Sequence, residues 1–125
     1  NTTGSVWSND TTVFAANTAT NRVGRFYVNQ TGTDITSSVE VAPSPTAMAF
    51  AAGRVLAVSG NLANFVPVGE GVVTAINPVT MAVIATVQTG GTNPTEAAVG
   101  PDGLLYVVNT GNYVTPASMA IIDPS

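Results

Sequence analysis

The sequence predicts an all-β protein made of short strands, and three observations support this prediction. Val and Thr are the two most abundant residues, and both are β-branched types that favour extended backbone. No stretch of ten or more residues shows the apolar spacing of an amphipathic helix. Apolar runs of about four to seven residues recur along the chain, separated by Gly, Pro, Asn and Asp.

These runs define the predicted strands in order. They cover residues 13–16, 23–28, 35–41, 54–59, 72–76, 81–88, 96–99, 104–108 and 119–122, and Trp7 marks an earlier strand in the first part of the chain. Several strands, such as Leu104–Val108, are apolar at successive positions, whereas a strand with one face in water alternates. We therefore expect sheets that are covered on both faces.

The chain also repeats itself. The segments Val13–Asn17, Val55–Ser59 and Leu105–Asn109 align with one another, as do Pro45–Ala49 and Pro94–Ala98. The spacing is about 42 to 50 residues, which is the period of a four-stranded propeller blade. Pro follows strand ends, where a missing backbone N–H costs no ladder hydrogen bond. The pattern predicts blades of four antiparallel strands, in units of about residues 4–44, 45–93 and 94–125, the last one incomplete.

The third unit carries the most specific pattern. Residues 93–109 read NPTEAAVGPDGLLYVVN, followed by the closing segment AIIDPS at residues 120–125. This pattern resembles the YVTN-type β-propeller repeat. The second unit has Ala51-Ala52-Gly53 where that family has a Pro-Asp-Gly turn, and the first unit matches less well. The resemblance implies a seven-bladed ring, of which this chain would supply part, and it implies no particular function. A two-sheet β-sandwich is the alternative fold.

An arc of three blades leaves two end faces uncovered. We expect one end to expose residues such as Trp7, Phe14 and Phe26, and the other to expose some of Leu105, Val107, Met119 and Ile121. Because burial of such side chains is worth on the order of 1.5–3 kcal/mol each, other chain segments or subunits should cover these ends.

Composition excludes several classes of function. The chain contains no Cys, His or Lys, which removes disulfides, thiolate or imidazole catalysis and Schiff-base chemistry. Three Arg against seven acidic residues do not form a phosphate-binding surface, so no nucleic acid partner is expected. No apolar run reaches the length of a transmembrane helix. The low charged fraction of 8%, with many Thr and Asn, favours an exported protein, in the periplasm or outside the cell.

The candidate contact face combines the loops that follow each second strand with those that enter each first strand. Two of these loops are long, residues 61–71 and 109–118, and long loops on a rigid scaffold commonly carry function. The first is unusually apolar, which predicts either a partner-docking loop or one folded back over its own blade. The candidate residues on this face are Asn61, Phe65, Glu70, Asn93, Glu96, Asn109 and Tyr113.

Glu70 and Glu96 are the weak metal-ligand candidates, since carboxylates with nearby amides suit a hard cation. No catalytic residue and no cofactor is predicted. The favoured function is a non-catalytic binding or structural domain with a possible protein partner. A lactonase-like or metal-dependent propeller hydrolase with part of its site outside this chain is one alternative, and an accessory subunit of a redox or membrane-associated assembly is another.

Overall fold

The computed structural model describes residues 6–9, 11–28, 37–112 and 114–125, with the backbone alone for 6–8. These ranges contain strands, turns and bends and no helix. It follows that, in the part of the chain described, no helix could serve as a membrane span. The prediction of an all-β chain is confirmed for these residues.

The strands lie close to the predicted positions. Their bounds are β1 Val6–Ser8, β2 Thr12–Asn17, β3 Arg22–Tyr27, β4 Ser37–Glu40, β5 Pro45–Ala51, β6 Arg54–Ser59, β7 Leu62–Ala63, β8 Val66–Pro67, β9 Val72–Ile76, β10 Val83–Gln88, β11 Pro94–Val99, β12 Leu105–Asn109 and β13 Ser118–Ile122. Strand β5 is not among the apolar runs but is indicated by the alignment of Pro45–Ala49 with Pro94–Ala98, whereas the sequence pattern did not resolve the short strands β7 and β8. Residues 35–36 of one predicted strand lie outside the described ranges.

The strands form small antiparallel sheets whose neighbours follow chain order. The first sheet has the order β1-β2-β3-β4, the second β5-β6-β9-β10 and the third β11-β12-β13, while β7 and β8 form a separate hairpin. Equivalent strands β2 and β12 belong to different sheets, as the repeat predicts.

Two apolar cores separate the three larger sheets. The first core joins Phe14 and Val23 of the first sheet to Val55 and Ile76 of the second. The second core joins Leu56 and Val73 of the second sheet to Leu105 and Val107 of the third. Strands β5, β6 and β9 of the middle sheet are therefore buried on both faces, whereas the edge strand β10 is exposed along its length. This accounts for the continuous apolar run in β6, whose successive side chains point to opposite cores.

The second and third sheets are closest at one edge and separate toward the other. Strand β5 packs against β11 of the third sheet and against β1 and β2 of the first. Toward β10 and β13, a cleft of ≈ 140 Å³ opens between the second and third sheets. Leu56, Ala75, Leu105 and Ile122 are among the residues that line it, and Arg54 Nη1 donates a 3.1 Å hydrogen bond to the Pro124 carbonyl at its mouth.

Local side-chain hydrogen bonds fix many of the turns. The Oδ1 atom of Asn77 accepts from the backbone N–H groups of Val79 and Thr80 at 2.9 and 3.1 Å, and that of Asn17 does the same for Ala19 and Thr20. Such Asx turns explain why Asn and Asp recur after strands. These Asn and Asp residues fix the turns between strands, so their recurrence along the chain is not evidence of a ligand site.

The expectation about exposed ends is wrong for Phe14, which is buried because its side chain points toward the second sheet. At the other end, where we expect some of four side chains to be exposed, Leu105 and Val107 are buried against the second sheet. Met119 and Ile121 are exposed, as expected, with 62% and 59% of their surface accessible. Phe26 is half-buried, and the side chain of Trp7 lies outside the described part.

Candidate functional site

The longest described connection within the second sheet carries a small hairpin. Strands β7 and β8 pair antiparallel, with Ala63 opposite Val66, so Asn64 and Phe65 form a two-residue turn. Their φ angles are 51° and 65°, both in the left-handed region. Positive φ at both central residues is the geometry of the tight turn that matches strand twist, and Asn-Gly is its preferred sequence. Phe65 therefore stands where Gly is favoured.

The tip of this hairpin presents apolar side chains to solvent. Phe65 is 95% exposed, Val66 61% and Val68 63%. The alternative that the loop folds back over its own blade therefore does not describe these three side chains. Leu62, at the base of the hairpin, is half-buried.

The hairpin base is fixed to the preceding loop by several hydrogen bonds. The backbone N–H groups of Gly60 and Asn61 donate to the carbonyls of Ser44 and Pro43, both at 2.9 Å. The Ser44 hydroxyl contacts the Leu62 carbonyl at 3.4 Å. The tip is thus an apolar projection on a base that the backbone holds in place.

A groove of ≈ 410 Å³ runs beside the hairpin. Its walls are Thr18 and Ala19 from the β2–β3 turn, Ser44 from the β4–β5 connection, and Leu62, Asn64 and Phe65 from the hairpin. Thr18 Oγ1 donates a 3.0 Å hydrogen bond to the Pro45 carbonyl, which ties the two sides together. None of the lining side chains is charged, so the groove suits a neutral, partly apolar group.

Two of the predicted site residues support this hairpin. The side-chain amide of Asn61 donates from Nδ2 to the backbone carbonyl of Glu70 at 3.0 Å, which closes the 61–70 loop. Asn61 also has a φ of 56°, a conformation that Asn adopts more readily than most residues. Glu70 itself is half-exposed at the end of the loop.

Asn109 is placed differently from the sequence expectation of a ligand-face residue. It is 1% exposed, and its Oδ1 accepts a 2.7 Å hydrogen bond from Thr89 Oγ1. Its Nδ2 atom lies 3.2 Å from both the Thr89 carbonyl and Ser118 Oγ. A Cβ placed on Gly91 would lie 2.6–2.8 Å from atoms of Ser118 and Asn109, so the glycine permits this close approach. The amide links the loop after β10 to the third sheet.

The remaining predicted residues lie on different elements, and Asn93 is beside the hairpin base, where a Cβ placed on Gly60 would lie 3.4 Å from its Oδ1. Asn93 has a φ of 53°, and its carbonyl accepts from Thr110 N–H at 3.0 Å. Glu96 lies inside β11, exposed and opposite Val108, rather than in a loop. Tyr113 lies outside the described residues. Over the part of the chain that the structure describes, no group of three or more acidic side chains is placed to hold a metal ion.

One short turn on the other side of the sheets, between β11 and β12, brings together two side chains with shifted pKa values. Tyr106 Oη donates a 2.6 Å hydrogen bond to Asp102 Oδ2, and Leu104 N–H donates to Oδ1 at 3.1 Å. The bond from Tyr106, followed by that from Leu104, lowers the pKa of Asp102 below its ordinary value. The same bond raises the pKa of Tyr106. These contacts brace the β11–β12 turn, and the sequence analysis did not identify them.

No protein-family model matches the chain, and no curated protein matches it. The interpretation of its function therefore depends on the sequence patterns and the geometry of its own residues.

Proposed function

We propose that the three sheets are blades of a β-propeller of the YVTN-type repeat. The proposal is supported by their consecutive antiparallel order, the burial of β5, β6 and β9 of the middle sheet on both faces and the divergence of the second and third sheets from β5 and β11 toward β10 and β13. Stacked blades require each of these features. A two-sheet sandwich has one core between its sheets and accounts less well for a middle sheet that faces two cores.

We propose further that this chain is a non-catalytic binding domain of an exported protein, and that it binds through the β7–β8 hairpin and the adjoining groove. The observation that carries this function is Phe65, an aromatic residue that is 95% exposed in left-handed backbone. A Phe in this position contributes almost no burial to the fold.

The left-handed backbone of Phe65 has an energetic cost that can be estimated. A non-glycine residue in left-handed conformation costs roughly 1–2 kcal/mol relative to its preferred backbone. Gly at the same position avoids the steric part of this cost, although it loses more chain entropy on folding. Strained residues that the surrounding structure holds in place cluster at functional sites. Phe65 thus lowers stability slightly and presents a ring to solvent, a combination that binding explains.

The partner expected for this surface is a protein segment with apolar or aromatic side chains. Aromatic residues are enriched at the centres of protein interfaces, where burial of the ring supplies much of the affinity. The groove beside Phe65 lacks charged lining residues, so it favours neutral side chains and backbone groups over ionic ligands.

The test replaces Phe65 with Gly and uses Val79→Gly as the control, since Val79 is also highly exposed, at 78%, in the short β9–β10 turn. Peptides selected from a displayed random library on the wild-type chain are measured against each variant by calorimetry, and their contacts are mapped by amide NMR shifts. We expect Phe65→Gly to reduce affinity at least tenfold and to leave the fold at equal or higher stability. Val79→Gly should retain affinity. Selected peptides that shift residues outside 18–19, 44 and 60–70, or that bind Phe65→Gly equally well, would contradict the proposal.

A further inference from the structure

The third sheet has an apolar face that the described residues leave open. Tyr106 and Val108 of β12 pair with Ile121 and Met119 of β13, and these four side chains lie on the face turned away from the second sheet. Met119 and Ile121 are mostly exposed, and Val108 is 38% exposed. We call these four residues the outer face of the third sheet. Glu96 and Ala98, on β11, lie on the same side of the sheet.

The second sheet has an equivalent face, and that face is buried. The repeat aligns Val55–Ser59 with Leu105–Asn109, so Leu56 and Val58 correspond to Tyr106 and Val108. Strand pairing extends this match. Leu56 pairs with Ala75 as Tyr106 pairs with Ile121, and Val58 pairs with Val73 as Val108 pairs with Met119. The four residues of the second sheet are 0–8% exposed, because the third sheet covers them.

The surface that covers them is also defined by its residues. Leu105 and Val107 of the third sheet, with Ile122 and Ala120 as their cross-strand partners, form the side that faces the second sheet. By the same alignment, Val13 and Ala15 of the first sheet correspond to Leu105 and Val107. Their cross-strand partners are Phe26 and Gly24. We call these four residues, Val13, Ala15, Gly24 and Phe26, the outer face of the first sheet.

We propose that the outer face of the third sheet binds the outer face of the first sheet of a second copy of this chain. This contact would repeat, between molecules, the contact that the second and third sheets make within one molecule. The two faces also suit each other in size. The third sheet presents the bulky set Tyr, Val, Ile and Met. The first presents the small pair Ala15 and Gly24, which lies between the pair Val13 and Phe26 and the pair Asn17 and Arg22.

This association is head-to-tail, because two different surfaces meet. A contact of that kind forms a ring if its rotation closes and an open array if it does not. The outer face of the third sheet is mostly uncovered, whereas on the first sheet Val13, Ala15 and Phe26 are half-buried and Gly24 is buried. An exposed apolar face such as that of the third sheet favours association in either case. The inference rests on the blade arrangement proposed above and is independent of binding at Phe65.

Two charge substitutions test the proposal by complementation. Met119→Glu places a charge on the outer face of the third sheet, and Ala15→Glu places one on the outer face of the first. Sedimentation velocity should show concentration-dependent association of the wild type and a monomer for each variant alone. An equimolar mixture of the two variants should form a heterodimer, since each retains the face that the other lacks. Val79→Glu, which alters neither face, should associate as the wild type does.

The sedimentation results distinguish head-to-tail association from self-pairing of one face and from no association. A wild type that is monomeric at every concentration would overturn the proposal. If Ala15→Glu associates normally while Met119→Glu does not, the outer face of the third sheet pairs with itself, and the assigned partner surface is wrong. A mixture of two monomeric, folded variants that forms no heterodimer would also overturn it. Circular dichroism checks folding, and Ile121→Asp with Val13→Asp provides a second pair if either first variant does not fold.

Discussion

Replacing Asn109 with Ala tests how strongly the buried amide joins the third sheet to the rest of the fold. The substitution removes three side-chain hydrogen bonds, two with Thr89 and one with Ser118. Each such bond contributes about 0.5–1.5 kcal/mol, which gives a loss of roughly 3 kcal/mol in the free energy of unfolding. Thr89 Oγ1 retains Gly91 O as an acceptor at 3.1 Å, so the hydroxyl is not left without a partner.

Urea unfolding monitored by circular dichroism, at one fixed protein concentration, measures this loss. The matched control is Ser118→Ala, which removes one of the three bonds and should cost only about 0.5–1.5 kcal/mol. Combining Asn109→Ala with Thr89→Val completes a double-mutant cycle. We expect a coupling free energy within about 0.5–3 kcal/mol, the range for side chains that share a network.

Two results would refute this account of Asn109. One is an Asn109→Ala variant as stable as the wild type. The other is additive behaviour with Thr89→Val, which would mean that the two side chains do not depend on each other. A ligand-binding role would instead predict that Asn109→Ala changes binding while stability stays constant, and the burial of the amide argues against that outcome.

Two further predictions concern the turns. Ala52 has a φ of 51° and is followed by Gly53 at 71°. Because Asn tolerates left-handed backbone better than Ala, Ala52→Asn should raise the free energy of unfolding by about 0.5–1 kcal/mol in the same urea assay. An unchanged or lower free energy of unfolding would contradict this. Tyr106→Phe should raise the pKa of Asp102 toward its ordinary value in a carboxyl NMR titration, because it removes the bond that lowers it most. In the wild type, the stability contributed by ionised Asp102 is present above the ordinary carboxyl pKa and is lost as the pH falls through the lowered pKa. In Tyr106→Phe, the free energy of unfolding should therefore fall less as the pH drops from the ordinary carboxyl pKa to the lowered one. An unchanged dependence of stability on pH would contradict the role given to this hydrogen bond.

The sequence determined the features that depend on neighbours along the chain. β-Branched runs and Gly, Pro, Asn and Asp breaks located most strands, since backbone preference and turn chemistry act over a few residues. The internal repeat likewise indicated that β2 and β12 belong to different sheets. The apolar composition of residues 61–71 indicated an unusual loop there, and the exposed Phe65 lies within that loop.

Only the tertiary structure decided the environment of each side chain. Asn17 and Asn109 occupy equivalent ends of repeated strands, yet the first caps an exposed turn and the second is buried in a hydrogen-bond network. The burial of Phe14 and Leu105 depends on which face of each sheet meets the middle sheet, and a strand pattern that is apolar on both faces does not specify that choice. The left-handed turn that exposes Phe65 depends on the pairing of Ala63 with Val66. Side-chain environments are set by contacts between segments distant in sequence, so the local pattern defined the strands and the packing of the sheets defined the candidate site.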